Sequence, residues 1–297
     1  FRLSVVRSSQ LSRGDYPDDN AMQTLAHNAS VWAKTYAGTG MLGREKYVPS
    51  YDFKTRGFVM AADKKLNRAM TVGVGFATDT TQAKSRNRTD NIKTYSAFAY
   101  SEYKPSKAYI NTILAYSWSK YDENKYALNE KFEADYNVDN IYASIMTGYR
   151  FRKGRFTATP EMGIRYNYIA RDSYRDTAIQ EISSHEMNVM TAVAGIEFAH
   201  DHYYRNRLTG RFVKLRPEIY IGLGYDVFSD KDRAMIYLTN GSRYRVKGNE
   251  LDRFSIELSA GITAMFDETL DVSAQYLGVF RKNYSSHSGL FEMKYHF

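Results

Sequence analysis

Residues 287–297, HSGLFEMKYHF, close the chain with a period of two. Gly289, Phe291, Met293, Tyr295 and Phe297 fall on one side, and Leu290, Glu292, Lys294 and His296 on the other. Successive side chains of a β-strand point to opposite faces. As a strand, this stretch shows an aromatic, apolar face to one medium and a largely charged face to another. Which medium lies on the apolar side depends on whether the pattern recurs.

It recurs upstream. Between residues 254 and 266, Phe254, Ile256, Leu258, Ala260, Ile262, Ala264 and Phe266 alternate with Ser255, Glu257, Ser259, Gly261, Thr263 and Met265. From 270 to 280, Leu270, Val272, Ala274, Tyr276, Gly278 and Phe280 oppose Asp271, Ser273 and Gln275. From 156 to 168, Met162, Ile164, Tyr166 and Tyr168 share a side while Glu161, Arg165 and Asn167 take the other. Residues 108–118 repeat it, with Ile110, Leu114, Tyr116 and Trp118 against Asn111 and Ser117. These runs exceed the five or six residues usual for a soluble strand and match the roughly 9–11 that a tilted strand needs to cross a bilayer.

Composition agrees once half of every strand is allowed to face water. The 297-residue chain has a mean hydropathy of −0.54. It contains no apolar run of about 18 residues, so a transmembrane helix is excluded. Tyr occurs 26 times and Phe 16 times, an excess that suits aromatic belts at a membrane interface and also carbohydrate-binding sandwiches. The absence of Cys excludes a disulfide scaffold and thiolate zinc sites, and no cofactor or metal is expected. The net charge of +8 is spread among Asp and Glu rather than gathered in a stripe. That scatter speaks against nucleic acid and for phosphate-rich outer-membrane lipid, lipopolysaccharide included. Residues 1–20 lack a basic start, an apolar stretch and a small-residue cleavage site, so an export signal is expected ahead of Phe1.

The template predicts about twelve strands, at 29–38, 51–62, 68–79, 91–103, 107–121, 135–152, 155–171, 184–200, 211–228, 250–266, 269–282 and 286–297. Tight turns are expected at 63–67, 104–106, 152–154 and 267–268. They alternate with long polar loops at 39–50, 80–90, 122–134, 172–183 and 229–249, and two connections, 200–210 and 283–285, blur the rule. Short turns on one rim and long loops on the other are the habit of transmembrane β-barrels. Lipid offers no partner for edge hydrogen bonds, so the sheet has to close. The expected fold is therefore an all-β, transmembrane antiparallel barrel spanning residues 29–297. Pro160 and Pro217 fall inside proposed strands and predict bulges or strand ends there.

The stretches SVWAKTYAGTG (30–40), YDFKTRGFVMAADKKLNRAMTVGVGFATD (51–79) and KTYSAFAYSEY (93–103), with the final aromatic strand, resemble the translocator β-domain of autotransporters, the type V secretion family of Gram-negative bacteria. Trp32, Tyr36 and Gly38 match the start of that family's first strand, and Gly57 with the Ala62-Asp63 turn its second-strand signature. The resemblance implies a twelve-stranded outer-membrane barrel, with a helix in the lumen leading to a secreted N-terminal passenger. It implies as partners the barrel assembly machinery, periplasmic chaperones and the passenger. It also implies that Gly289, Phe291, Met293, Tyr295 and Phe297 form the assembly signal. Residues 1–28 resemble the linker, with Arg2 and Arg7 spaced as in its basic stretch, and are read as a helical or irregular luminal segment. Arg2, Arg7 and Arg13 would there meet inward carboxylates. An insertion, LSRGDYPDDNAMQTLAHNAS (11–30), departs from the family, and no asparagine pair matches the self-cleaving branch.

Competing functions are weighed by their sites. An outer-membrane phospholipase needs a Ser two residues after a His, and none of the six histidines has one. An Asp/His hydrolase has a single candidate in His200-Asp201-His202, read here as a solvated turn. The inward charges Glu161, Arg165, Glu257, Asp271 and Lys294 suit a selectivity ring or a docking surface for a luminal helix better than bond chemistry, so no catalytic residue is assigned. A diffusion porin is the runner-up.

Overall fold

Alternation decides how these strands sit between two media, and the observed burial follows it closely on strands such as 254–266 and 284–296. The computed structural model describes residues 28–44, 49–127, 130–177, 180–205, 212–230, 233–237, 243–248, 251–266 and 269–297. Twelve long strands form the barrel: β1 (Ala29–Leu42), β2 (Tyr51–Lys65), β3 (Met70–Ser85), β4 (Arg88–Tyr103), β5 (Ala108–Ala127), β6 (Glu130–Tyr149), β7 (Phe156–Arg171), β8 (His185–His200), β9 (Phe212–Ser229), β10 (Phe254–Phe266), β11 (Leu270–Arg281) and β12 (Tyr284–His296). Each pairs antiparallel with its sequence neighbours, and β12 returns to pair with β1 from Ser30↔His296 to Leu42↔Tyr284. Closure extends to the last residue, since the backbones of Ala29 and Phe297 exchange both hydrogen bonds, at 3.0 and 2.9 Å. Every expected strand is present, and the all-β, closed antiparallel barrel is the fold.

On β12 Gly289, Phe291, Met293 and Tyr295 are exposed and Leu290, Glu292, Lys294 and His296 are buried. The outside is apolar along the other strands as well, with Val74, Leu114, Ile145, Met162, Ile164 and Ile219 among its most exposed side chains. An apolar outside on a closed sheet is what a hydrocarbon solvent selects.

Three expectations are corrected. Residues 80–90 and 122–134 are not loops: β3 runs on to Ser85, β4 starts at Arg88, β5 reaches Ala127 and β6 starts at Glu130. Polar alternation there, as in Gln82 hydrogen-bonded to Asn91 at 3.0 Å, continues the ladders beyond the apolar band. The loops 172–183 and 229–249 contain short strands, Tyr174–Arg175, Glu181–Ile182, Arg233–Tyr237 and Arg243–Lys247, which form a separate four-stranded sheet on the rim opposite Ala29. Asp63, expected in a turn, lies buried within β2, because the alternation Val59, Ala61, Asp63 carries on to the strand end.

Both prolines sit opposite a neighbour's end. Pairing of β6 with β7 stops at Gly148↔Glu161 and resumes at Phe151↔Ala158 through a short strand, Phe151–Lys153, leaving Pro160 in the gap. Pairing of β8 with β9 stops at Ala199↔Glu218 and resumes at His202↔Leu215, leaving Pro217 in an equivalent gap. The register is unchanged across each gap, so the missing N–H interrupts a ladder without a bulge. The one register shift in the β8–β9 ladder lies elsewhere, between Met190 and Thr191.

Candidate functional site: the barrel interior

Inward positions of β1 to β6 hold aromatic rings as well as charges. Trp32, Tyr36, Val59, Phe98, Tyr100, Ile113, Tyr142 and Leu290 form one buried cluster, with Trp32 wholly inaccessible. Large rings fit because glycines stand beside them. Tyr100 lies over Gly73 and donates to Asp63, one strand further on, at 2.8 Å. Tyr109 likewise crosses Gly148 to reach Glu161 at 2.9 Å, and the Tyr36 hydroxyl meets Asp79 across Gly57. Alternate strands are about 9.6 Å apart. A phenol and a carboxylate bridge that distance only where the strand between them presents no side chain.

The inward charges pair with one another. Lys34 and Glu292, direct neighbours across the β1–β12 seam, meet at 2.8 Å, and the Lys34 ammonium also lies 5.3 Å from the Trp32 ring. Asp63 accepts from Lys294 at 2.9 Å, from Tyr100 and from Ser30, while Trp32 Nε1 donates to the Tyr100 hydroxyl at 2.8 Å. Asp271 meets His296 at 2.8 Å. Arg165 on β7 reaches Glu257 on β10 with two hydrogen bonds, at 2.5 and 3.1 Å, across β8 and β9, where the Tyr220 ring lies over the facing Gly195 and Gly222. Arg281 pairs with Asp226, which also accepts from Thr191 at 2.6 Å. A bidentate guanidinium–carboxylate pair fixes geometry as well as charge.

The five lumen charges named from the sequence, Glu161, Arg165, Glu257, Asp271 and Lys294, are all buried on the inward side, but not as one group. Arg165 and Glu257 pair with each other, while Glu161, Asp271 and Lys294 take Tyr109, His296 and Asp63 on other strands. Sequence reasoning missed Lys34, Asp63, Asp226, Lys214, Arg216 and Arg281. Inward parity marks each of them once the strand boundary is right. Arg2, Arg7 and Arg13 lie outside the described residues. The His200-Asp201-His202 turn is not solvated: Asp201 is buried, with Lys214 at 3.2 Å, Arg152 at 3.4 Å and Arg216 at 3.9 Å. His200 and His202 bond each other at 2.9 Å instead of orienting a nucleophile. Among the described residues, no three His, Cys, Asp or Glu side chains gather as metal ligands.

On the rim opposite Ala29, Tyr121, Tyr136 and Tyr174 stack with centroids 4.9 and 4.3 Å apart, and burial pushes the Tyr174 phenol up to about 12. Nearby, the Asn188 side chain and backbone N–H donate to Asp230 at 2.9 and 2.8 Å, holding its carboxyl below the usual range.

A closed sheet with a lipid-matched exterior and an ion-paired, aromatic interior is a membrane-spanning barrel, and its first and last strands meet with Ala29 and Phe297 on one rim. The chain belongs to the autotransporter β-domain family, whose profile matches residues 31–277. The structure is similar to the translocator domain of autotransporter NalP from Neisseria meningitidis, with a TM-score of 0.75 and 14% identity over 99% of this chain and 93% of that one. It is also similar to the β domain of the Bordetella autotransporter BrkA, with a TM-score of 0.69 and 15% identity over 91% of this chain and 100% of that one. The transport unit of AIDA-I from Escherichia coli aligns at a TM-score of 0.61 and 12% identity over 99% and 96% of the two chains. No curated protein matches the sequence. The family is one of transport domains.

Proposed function

We propose that this barrel sits in the outer membrane of a Gram-negative bacterium, anchors a passenger joined to its N-terminal side and helps export it. The observation that carries this reading is the position of Asn28 and Ala29. β1 begins on the same rim as Phe297, opposite the rim that carries the short four-stranded sheet. A polypeptide ahead of β1 therefore reaches the opposite rim only by way of the lumen. Twelve strands at about 4.8 Å spacing, tilted by about 40°, enclose a backbone circle roughly 24 Å across. With inward side chains in place that leaves room for one helix, about 10–12 Å wide. Residues 1–28 are the segment proposed to lie there, with Arg2, Arg7 and Arg13 facing the lumen carboxylates. A chain beginning at Ala29 is expected to give larger and steadier single-channel conductance in planar bilayers than the full chain. Equal conductance would remove the luminal segment and favour the porin reading.

Assembly is the second element of the proposal. Gly289, Phe291, Met293, Tyr295 and Phe297 form an outward row on the closing strand, and the rings of Tyr295 and Phe297 stack at 6.2 Å. We assign this row to recognition by the barrel assembly machinery, after delivery by periplasmic chaperones. Phe297 also holds two backbone bonds of the seam, so its deletion confounds two effects. Phe297→Ala keeps the backbone and removes the ring. It should reduce the heat-modifiable barrel recovered from cells while leaving unfolding in lipid vesicles nearly unchanged. Normal recovery from cells would refute the assignment.

A further inference from the structure

The outward face of β2 to β5 carries a line of cations with no carboxylate in it. Register places Arg56 opposite Thr80, Thr80 opposite Lys93 and Lys93 opposite Lys120, and all four are exposed. The line runs about 14 Å across four strands. Ala37 precedes it on β1 and Asn137 follows it on β6, so the cations end there. Lys54 and Lys84 stand one and two steps further from the Ala29 rim, and the nearest acids by register are Asp122, beside Lys120, Asp139 and Asp135 on β6, diagonal to Lys120, and Asp52, opposite Lys84. Arg56, Lys93 and Lys120 form no ion pair among the described residues. Like charges set directly opposite, as in Lys93 and Lys120, oppose the pairing of their strands. An anion laid over them removes that conflict.

The flanking rows define the rest of the ligand. Towards the Ala29 rim lie Phe58, Thr78, Tyr95 and Trp118, again in register and followed by Asp139 on β6, with Tyr95 stacked on Trp118 at 6.0 Å and on Phe76 at 6.5 Å. On the far side, Gln82 and Asn91 present two amides between Lys54 and Asp122. Apolar rings, cations and hydrogen-bonding amides thus follow one another along the membrane normal.

We propose that this strip binds a phosphorylated glycolipid of the outer leaflet. Acyl chains lie on Phe76, Tyr95 and Trp118, phosphates on Arg56, Lys93 and Lys120, and sugar hydroxyls on Gln82 and Asn91. A glycerophospholipid carries one phosphodiester and matches neither the three cations nor the amide row. The site rests on the reading of the rim opposite Ala29 as the outer one. Because it is measured on the purified full chain without a passenger or export, a failure to bind leaves the export reading standing, and a failure of export leaves the titration readable.

The test titrates the purified full chain, in non-ionic detergent micelles, with lipopolysaccharide and follows the shift of the folded band in native electrophoresis. Cations near an anionic lipid surface each contribute about fivefold. Lys93→Gln with Lys120→Gln should therefore raise the half-saturating concentration about twentyfold, and Thr80→Lys, which adds a cation to the line, should lower it. Lys64→Gln, outward on β2 near the opposite rim, should match the unmodified chain. Phosphatidylglycerol should fail to compete. Unchanged binding by the double variant, equal weakening by Lys64→Gln, or displacement by equimolar phosphatidylglycerol would each overturn the proposal. If the double variant does not fold, an unchanged affinity for Thr80→Lys has the same force.

Discussion

Lys34→Met is expected to destabilise the folded barrel by about 3–5 kcal/mol, the range for leaving one member of a buried ion pair without its partner. The Lys34 side chain is 0% exposed and that of Glu292 4%, and they join the first and last strands of the closed sheet. Neither charge can turn to solvent without opening the seam. Replacing Glu292 by Met as well removes the stranded charge, so the double variant should recover much of the loss. Reversible denaturant unfolding in lipid vesicles measures both. A single-variant loss below about 1 kcal/mol would show that luminal water solvates Glu292 and that the pair does not hold the seam.

The second large effect tests the faces. Leu258 and Ile262 are 37% and 46% exposed on β10, on either side of Ala260 at the middle of the strand. Arg at either site should cost about 2–4 kcal/mol, the penalty for that side chain near the bilayer midplane. Arg at Ser259 enters the polar interior, where Gln275 already donates to the Ser259 hydroxyl at 2.7 Å, and should cost less. Equal losses at inward and outward positions in the same vesicles would be incompatible with a lipid-facing row.

The strands were legible because their signal is local. HSGLFEMKYHF shows its two faces without reference to any other residue, and so does the run from Phe254 to Phe266. Strand ends were less legible, for a physical reason as well. The extensions of β3 to β6 beyond the apolar band keep a ladder but lose the apolar side of the alternation, as in Thr80, Gln82 and Lys84. Polar alternation reads as loop when burial in lipid is the guide. Asp63 was misplaced by the same rule: an acid followed by two lysines has the composition of a turn, yet its parity keeps it inside.

Partners were not legible. Alternation alone assigns the lipid-facing side of each strand, hence the barrel and the inward parity of Glu161, Arg165, Glu257, Asp271 and Lys294, because a strand's period of two is a property of the backbone. Closure and register decided the rest. Lys294 meets Asp63 from 231 positions away, Arg165 meets Glu257 across two intervening strands, and Tyr100 meets Asp63 over Gly73. Those pairings depend on how far each strand has slid against the next, and only the closed sheet sets that offset for all twelve strands at once.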